Sequence, residues 1–364
     1  MNYKIQQQIP FVAEKELEYL QEVIKNKWIT EGPFTKRFAK NLQEFTGAKH
    51  VLLTNNGTLA LFLCLQSLGI KEGDEVIVPN FTFNASASSV VYSGAKPVFV
   101  DVNGDNYNID VEKIERLITN NTKAIMPVHI YGQSADLDPI VDISRKYGIP
   151  IIEDAAQGFG VFYKNKHVGT IGEIGMISFF ADKTITMGEG AVILTNNTEL
   201  YEKLKYIRNQ GRLNSGTFIH SELGMNFRVT DLQSAVGVAQ MEKYDEIKAI
   251  KLGNYNYYKS RLKDIEEIEF MQEVGYSNLI PFRVAIRTKA KVELTAYMEG
   301  KGIETRGYFY PLHRQPCYLN LNYSVNEFPV TNSLFNEGIC LPVHCYLKKE
   351  QLKYICDTII EYFN

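Results

Sequence analysis

Apolar residues fall in short, dense runs through the first two-thirds of the chain, separated by stretches with helical spacing. Val51–Leu53, Val76–Val78, Pro97–Val100, Ala124–Val128 and Ile149–Ile152 are short and β-rich. Thr58–Leu68, Thr82–Ser93, Val111–Leu117 and Pro139–Tyr147, lying between them, suit helices. Strands that are apolar throughout, alternating with helices, predict βαβ units and a sheet covered on both faces. Gly175–Phe180 and Ala191–Leu194 are two further strands flanking a glycine-containing loop. Near the N-terminus, Leu17, Leu20, Val23 and Ile24 recur at helical spacing and predict one apolar face. A long helical stretch, Asp231–Lys243 and then Asp245–Leu262, follows the sheet region. The domain boundary is placed there, giving a large unit over 1–243 and a smaller α+β unit over 244–364. The smaller unit is expected to hold a strand near Phe282–Ile286, a helix near Val292–Lys301 and a last helix with Leu352, Ile355, Ile359 and Tyr362 on its apolar face. The fold class is α/β, with a mostly parallel central sheet.

Composition narrows the function. With 364 residues, 45% of them apolar and 22% charged, the chain can bury a sizeable core. The net charge of −3 lacks the basic excess of a general nucleic-acid binder. No apolar run approaches the roughly 20 residues that span a bilayer, and Gln6–Gln8 interrupt any secretory apolar stretch. Five cysteines without a C-x-x-C pair read as reduced thiols of a cytoplasmic protein, with no metal site.

Three segments carry candidate chemistry. Ile151-Ile152-Glu153-Asp154-Ala155-Ala156-Gln157 ends an apolar strand in two carboxylates. Ligands of open α/β sheets bind at such strand ends, so Asp154 can face one; the alternative is a helix N-cap. Ile177–Gly190 places Lys183 just past an apolar strand and before two glycines. A lone lysine is usually a solvated charge, but a desolvated one has a lowered pKa and can form a Schiff base with a carbonyl. The 29 residues from Asp154 to Lys183 are enough for both to reach one rim of the sheet. Asn56-Gly57-Thr58 opens an apolar helix, where free N–H groups and the helix dipole can hold a phosphate. Phe83, after the second strand, can stack on a planar ring or pack in the core. An imine-forming lysine, an acid for a pyridine nitrogen, an aromatic face and a phosphate cradle are together the requirements of pyridoxal 5′-phosphate.

The chain resembles the DegT/DnrJ/EryC1/StrS family of sugar aminotransferases, nearly end to end. The resemblance rests on Asn56–Leu61, Pro127-Val128-His129-Ile130-Tyr131-Gly132, Glu153–Gln157, Ser178-Phe179-Phe180 followed by Lys183, Gly224–Gln233 and Gly302-Ile303-Glu304-Thr305-Arg306, in that order. It implies the fold-type-I aminotransferase architecture and a pyridoxal phosphate cofactor, with the pyridoxamine form alternating. It implies Lys183 as the Schiff-base lysine, Asp154 at the pyridine nitrogen and Gln157 beside the ring hydroxyl. Phe83 is implied to stack on the ring, and Gly57, Thr58 and Ser178 to hold the phosphate. Asn226 would reach the phosphate of a neighbouring subunit with Arg228 close by, which implies a homodimer. Tyr308, Tyr310, His313 and Arg314 are candidates for the sugar-nucleotide pocket, or else a loop with inward aromatics. His129 is expected to be a satisfied structural histidine. The chain departs from the family's common pattern at Asn56, Ala191 and Gln210. The family also includes dehydratases, in which a histidine replaces the lysine, so Lys183 favours amino transfer. The implied reaction moves the amino group of L-glutamate to a keto carbon of a nucleotide-linked sugar. The finer pattern of Lys183–Gly190 and Gly302–His313 most resembles family members that aminate C4 of GDP-4-keto-6-deoxymannose, which implies that substrate, with UDP- and dTDP-linked sugars as alternatives.

Overall fold

The computed structural model describes residues 3–212, 216 and 218–364. The core is a sheet of strands β1 (His50–Thr54), β2 (Glu75–Pro79), β3 (Lys96–Val100), β4 (Thr122–Ile125) and β5 (Ile152–Asp154). A short hairpin, β6 (Phe162–Tyr163) and β7 (Lys166–His167), leads on to β8 (Ile174–Ser178) and β9 (Ala191–Thr195). The strands run in the order β3-β2-β4 and β5-β8-β9-β1. Parallel bridges Ile125↔Ile151 and Val128↔Asp154 join the two groups. Only β9 runs against its neighbours. The predicted mostly parallel α/β sheet is therefore present. Helices α1 (Glu14–Lys25), α2 (Pro33–Thr46), α3 (Gly57–Ser67), α4 (Ala85–Tyr92), α5 (Leu137–Tyr147), α6 (Thr198–Arg208), α7 (Asp231–Glu242) and α8 (Tyr244–Leu262) accompany it.

A second, antiparallel sheet follows, of β10 (Glu269–Phe270), β11 (Val284–Arg287), β12 (Arg306–Gly307) and β13 (Gly338–Leu341), ordered β10-β11-β13-β12. It packs with α9 (Lys291–Gly300), α10 (Pro329–Glu337) and α11 (Lys349–Phe363). Leu352, Ile355 and Ile359 are buried, as the pattern of the last helix predicts. Helix α8 links the cores: Ile247 packs with the large one, Tyr258 and Leu262 with the small. The N-terminal segment also joins the small sheet, through Ile5↔Ile303 and the bond from Glu304 N–H to the Ile5 carbonyl (2.9 Å).

Prolines explain two shifted strand ends. Pro127 has no N–H, so β4 stops at Ile125 rather than Val128, and Pro150 delays β5 to Ile152. Val111–Leu117 forms two 3₁₀ turns instead of an α-helix; Ile114 is its one buried anchor. Helix α4 begins at Ala85, which leaves Thr82–Asn84 as a turn. The expected apolar face of α1 is corrected too. Glu16, Tyr19 and Val23 are buried, whereas Leu17 and Ile24 are 59% and 60% exposed. A polar anchor sets that rotation, because the Glu16 carboxylate accepts from Gln240 Nε2 and Lys243 Nζ, both at 2.6 Å. The cysteines are all free, and among the described residues no helix is long and apolar enough to cross a membrane.

Candidate active site

The site forms where the parallel strands end. Asp154 is the last residue of β5, followed by a turn rather than a helix, so it is not a helix N-cap. It is 4% exposed. Its Oδ1 accepts from the Ala156 N–H (3.1 Å) and its Oδ2 from the Ser86 hydroxyl (2.6 Å). One donor per oxygen leaves lone pairs for a ring N–H.

Lys183 follows β8 in a tight turn, its N–H donating to the Phe180 carbonyl (3.0 Å). Its Nζ lies 4.6 Å from the centre of the Phe282 ring. Desolvation pushes its pKa down to about 8; Asp182 opposes that shift, Arg283 adds to it and Asp154 opposes it. A lysine tuned this way is a nucleophile near neutral pH. Asp182 is fixed by an ion pair with buried Arg283, and Arg306 lies 3.6 Å from the same carboxylate. Arg283 also donates to Gln7 Oε1 (2.8 Å), so the N-terminal segment braces the lysine turn. Sequence reasoning missed Ser86, Asp182, Arg283 and Gln7. Only the adjacency of Asp182 to Lys183 offered a signal; the other three arrive by tertiary contact.

The start of α3 carries the candidate phosphate-binding residues. Asn56 caps the helix, its Oδ1 accepting from the Leu59 N–H (2.9 Å), and the Ala60 N–H donates to the Asn56 carbonyl (3.0 Å). The N–H groups of Gly57 and Thr58 therefore remain without helical acceptors. A Cβ at Gly57 would lie 3.1 Å from Ser178 Oγ and 2.8 Å from Met176 Cε, so glycine keeps this space open. Two free N–H groups and the hydroxyls of Thr58 and Ser178 form a donor set that fits a phosphate.

Gln157 is oriented by a strained turn. Tyr131 adopts φ 52°, and Gly132 a φ of 92° where a Cβ would fall 1.8 Å from the Ile280 carbonyl. This bend directs the Tyr131 N–H onto Gln157 Oε1 (2.7 Å). The amide NH₂ is then the group left to donate, as an acceptor oxygen on a cofactor ring requires. Phe83 is 60% exposed and lies edge-on to Phe309, so it is not a core residue of this chain.

The remaining candidates divide. Asn226 is exposed and pairs with Asn209, and Arg228 donates to Asn209 Oδ1 (2.6 Å). Tyr310 and Arg314 stay together at the surface, the guanidinium 5.2 Å from the ring centre. Tyr308 and His313 are only 4% and 2% exposed and line no open surface here. Tyr308 sits among Phe81, Tyr107 and Tyr131; His313 is held by Asn80 (2.7 Å) and the Val325 carbonyl (3.1 Å). His129 is fully buried between Glu153 (3.1 Å) and the Ala135 N–H (3.2 Å), a satisfied structural histidine.

Comparison with known proteins agrees with this chemistry. A GDP-perosamine synthase of Escherichia coli O157:H7 is 36% identical over 98% of this chain and 97% of its own. A dTDP-4-amino-4,6-dideoxy-D-glucose transaminase of Shigella dysenteriae is 35% identical over 96% of this chain and 95% of its own. The putative sugar aminotransferase Spr1654 of Streptococcus pneumoniae, solved in its PLP form, superposes with a TM-score of 0.93 at 26% identity, covering 98% of both chains. The profile of the DegT/DnrJ/EryC1/StrS aminotransferase family matches residues 10–360, and this chain belongs to that family of pyridoxal phosphate-dependent sugar aminotransferases.

Proposed function

We propose that the protein transfers the amino group of L-glutamate to C4 of a nucleotide-linked 4-keto-6-deoxy sugar, with GDP-4-keto-6-deoxy-D-mannose as substrate and GDP-perosamine as product. The observation that carries the reaction type is a desolvated Lys183 on the same strand-end rim as Asp154 and the Gly57–Thr58–Ser178 cradle. The choice of GDP draws support from the 36% identity to a named GDP-perosamine synthase. The dTDP-sugar transaminase at 35% supports the alternative nucleotide.

When bound, pyridoxal phosphate supplies an aldehyde that carries amino groups and a ring that accepts electron density. Lys183 would anchor that aldehyde, and its Nζ, when free, would be the base that moves a proton at the substrate carbon. Asp154 would face the ring nitrogen as a proton-holding partner, and Gln157 would donate to the ring oxygen. Phe83 covers the ring face, and Gly57, Thr58 and Ser178 hold the phosphate. Arg228, Tyr310 and Arg314 offer cations and an aromatic surface to the sugar nucleotide, while Tyr308 and His313 are buried and offer none in this chain.

A homodimer completes the site in this reading. Phe83 and Phe180 are 60% and 45% exposed beside it, and exposed Met225 (53%) and Asn226 are available to a second subunit. The division at 243/244, with residues 3–8 tied to the smaller unit, and a cytoplasmic location belong to the same proposal. A panel of GDP-, UDP- and dTDP-linked 4-keto sugars assayed with glutamate tests it. The expected result is a kcat/KM at least tenfold higher for the GDP-linked sugar. Preference for a dTDP- or UDP-linked sugar overturns the substrate assignment and leaves the family standing.

A further inference from the structure

Helix α4 and the residue that ends it carry four serines, and three of them satisfy themselves locally. Ser88 donates to the Ala85 carbonyl (3.5 Å), Ser89 to Ser86 (3.1 Å) and Ser93 to Ser89 (2.9 Å). Such back-bonding within a turn is the ordinary fate of a helical serine. Ser86 is the exception. Fully buried, it sends its hydroxyl out of the helix to Asp154 Oδ2 at 2.6 Å, across 68 positions of sequence. Thr82, four residues earlier in the turn before the helix, lies 3.1 Å from the same hydroxyl and can donate to it. The segment that presents Phe83 thus also grips the carboxylate.

We propose that Ser86 is a positioning residue for the amino transfer, holding the Asp154 carboxylate in the one orientation that faces the ring nitrogen. The inference rests on the reading of Asp154 as partner of the ring nitrogen. A hydrogen bond donated to a carboxylate favours its charged form. In a buried pair of carboxylate and pyridine, that donor keeps the shared proton on the nitrogen. Without it the proton drifts toward the acid, and the ring withdraws electrons less strongly. Thr82 supports the arrangement by supplying the serine oxygen with a donor, so that its own hydrogen stays directed at Asp154.

The test uses the holoenzyme loaded with pyridoxal 5′-phosphate carrying ¹⁵N in its ring, read by solid-state NMR. The unmodified protein should show a protonated ring nitrogen. Ser86→Ala and Ser86→Cys, the second keeping the volume without a strong donor, should both move the resonance toward unprotonated pyridine. Both should also lower kcat roughly ten- to a hundredfold, as loss of a hydrogen bond to a charge implies, with KM for glutamate within about twofold. Ser86→Thr, which restores the hydroxyl, should recover the resonance. Melting of each apo variant identifies any that fails to fold, in which case the cysteine variant decides. An unchanged resonance and kcat in folded Ser86→Ala or Ser86→Cys, with Asp154→Asn moving the resonance, would overturn the role of Ser86 alone. No movement in Asp154→Asn would instead remove Asp154 as the ring partner, and this proposal with it.

Discussion

Glu153 and Asp154 are adjacent acids at the end of one strand, yet they face different regions and are treated in opposite ways. Side chains alternate across a strand, so the two carboxylates emerge on opposite faces of the sheet. Glu153 is fully buried and saturated: it accepts from His129 and from the N–H groups of Gly169, Ile171 and Gly172 at 2.6–2.7 Å. Asp154 accepts one bond on each oxygen and faces the rim that carries Lys183 and Phe83. A saturated carboxylate pins a loop; an incompletely satisfied one can serve a ligand. The contrast teaches that burial alone does not mark a functional acid, and that spare acceptor capacity on the ligand-facing side does.

Five outcomes would break or sharpen this contrast. The largest is Lys183→Ala: transamination should fall by more than about a thousandfold, while the apo protein melts close to the unmodified one. Borohydride reduction should then trap no cofactor on the chain. Asp154→Asn should lower kcat by roughly a hundredfold or more with little change in fold, and near-normal turnover would place the ring partner elsewhere. Gly57→Ala, whose Cβ would meet Ser178 Oγ at 3.1 Å, should weaken cofactor affinity roughly ten- to a hundredfold, measured by titration of the apo protein. Phosphate held as tightly as before would reject the cradle.

Glu153→Gln should reverse the pattern of its neighbour. The fold should lose about 3 kcal/mol, because a buried charge network is broken, while activity per cofactor-loaded site stays within a few-fold. The acid limb of stability follows from the same network. Desolvation pushes the Glu153 pKa up, but His129 and the N–H groups of Gly172 and Gly169 outweigh it, leaving the carboxyl below its ordinary 4.5. Its contribution is therefore complete above pH 4.5 and lost as pH falls through the lower folded value. The denaturant midpoint of the unmodified protein should fall with pH across that range and depend less on pH in Glu153→Gln.

The smallest effect concerns Lys183 itself. Only its neutral amine captures an aldehyde, so the rate of cofactor capture by the apo protein should rise with pH and level near 8, not near 10.5. Replacing Arg283 with Met removes a cation that depresses the lysine and leaves Asp182 with Arg306 alone as an ion-pair partner, so the plateau should move to higher pH. A plateau unmoved by Arg283→Met would remove Arg283 from the tuning of the lysine.

Much of the fold was legible because its strands are apolar throughout and its helices periodic. What misled was local. Prolines at 127 and 150 trimmed strands that hydrophobicity alone extends, and the Glu16 anchor turned α1 so that Leu17 and Ile24 face outward. Of the candidate site, Lys183, Asp154 and Gly57 were visible as strand-end and helix-start residues. Ser86 was not, because nothing in the sequence tells which of the four serines between 86 and 93 reaches out of the helix.

The amino-acid sequence by itself determined the α/β alternation, the lysine, the acid and the glycine-opened helix start, since each depends on local spacing, propensity and residue chemistry. Only the tertiary structure decided which carboxylate is spare, which serine grips it, and that Arg283 and Gln7 brace the lysine turn from distant segments. The physical reason is that solvation and hydrogen-bond partners are properties of three-dimensional neighbours, and those neighbours here lie dozens to hundreds of residues apart along the chain.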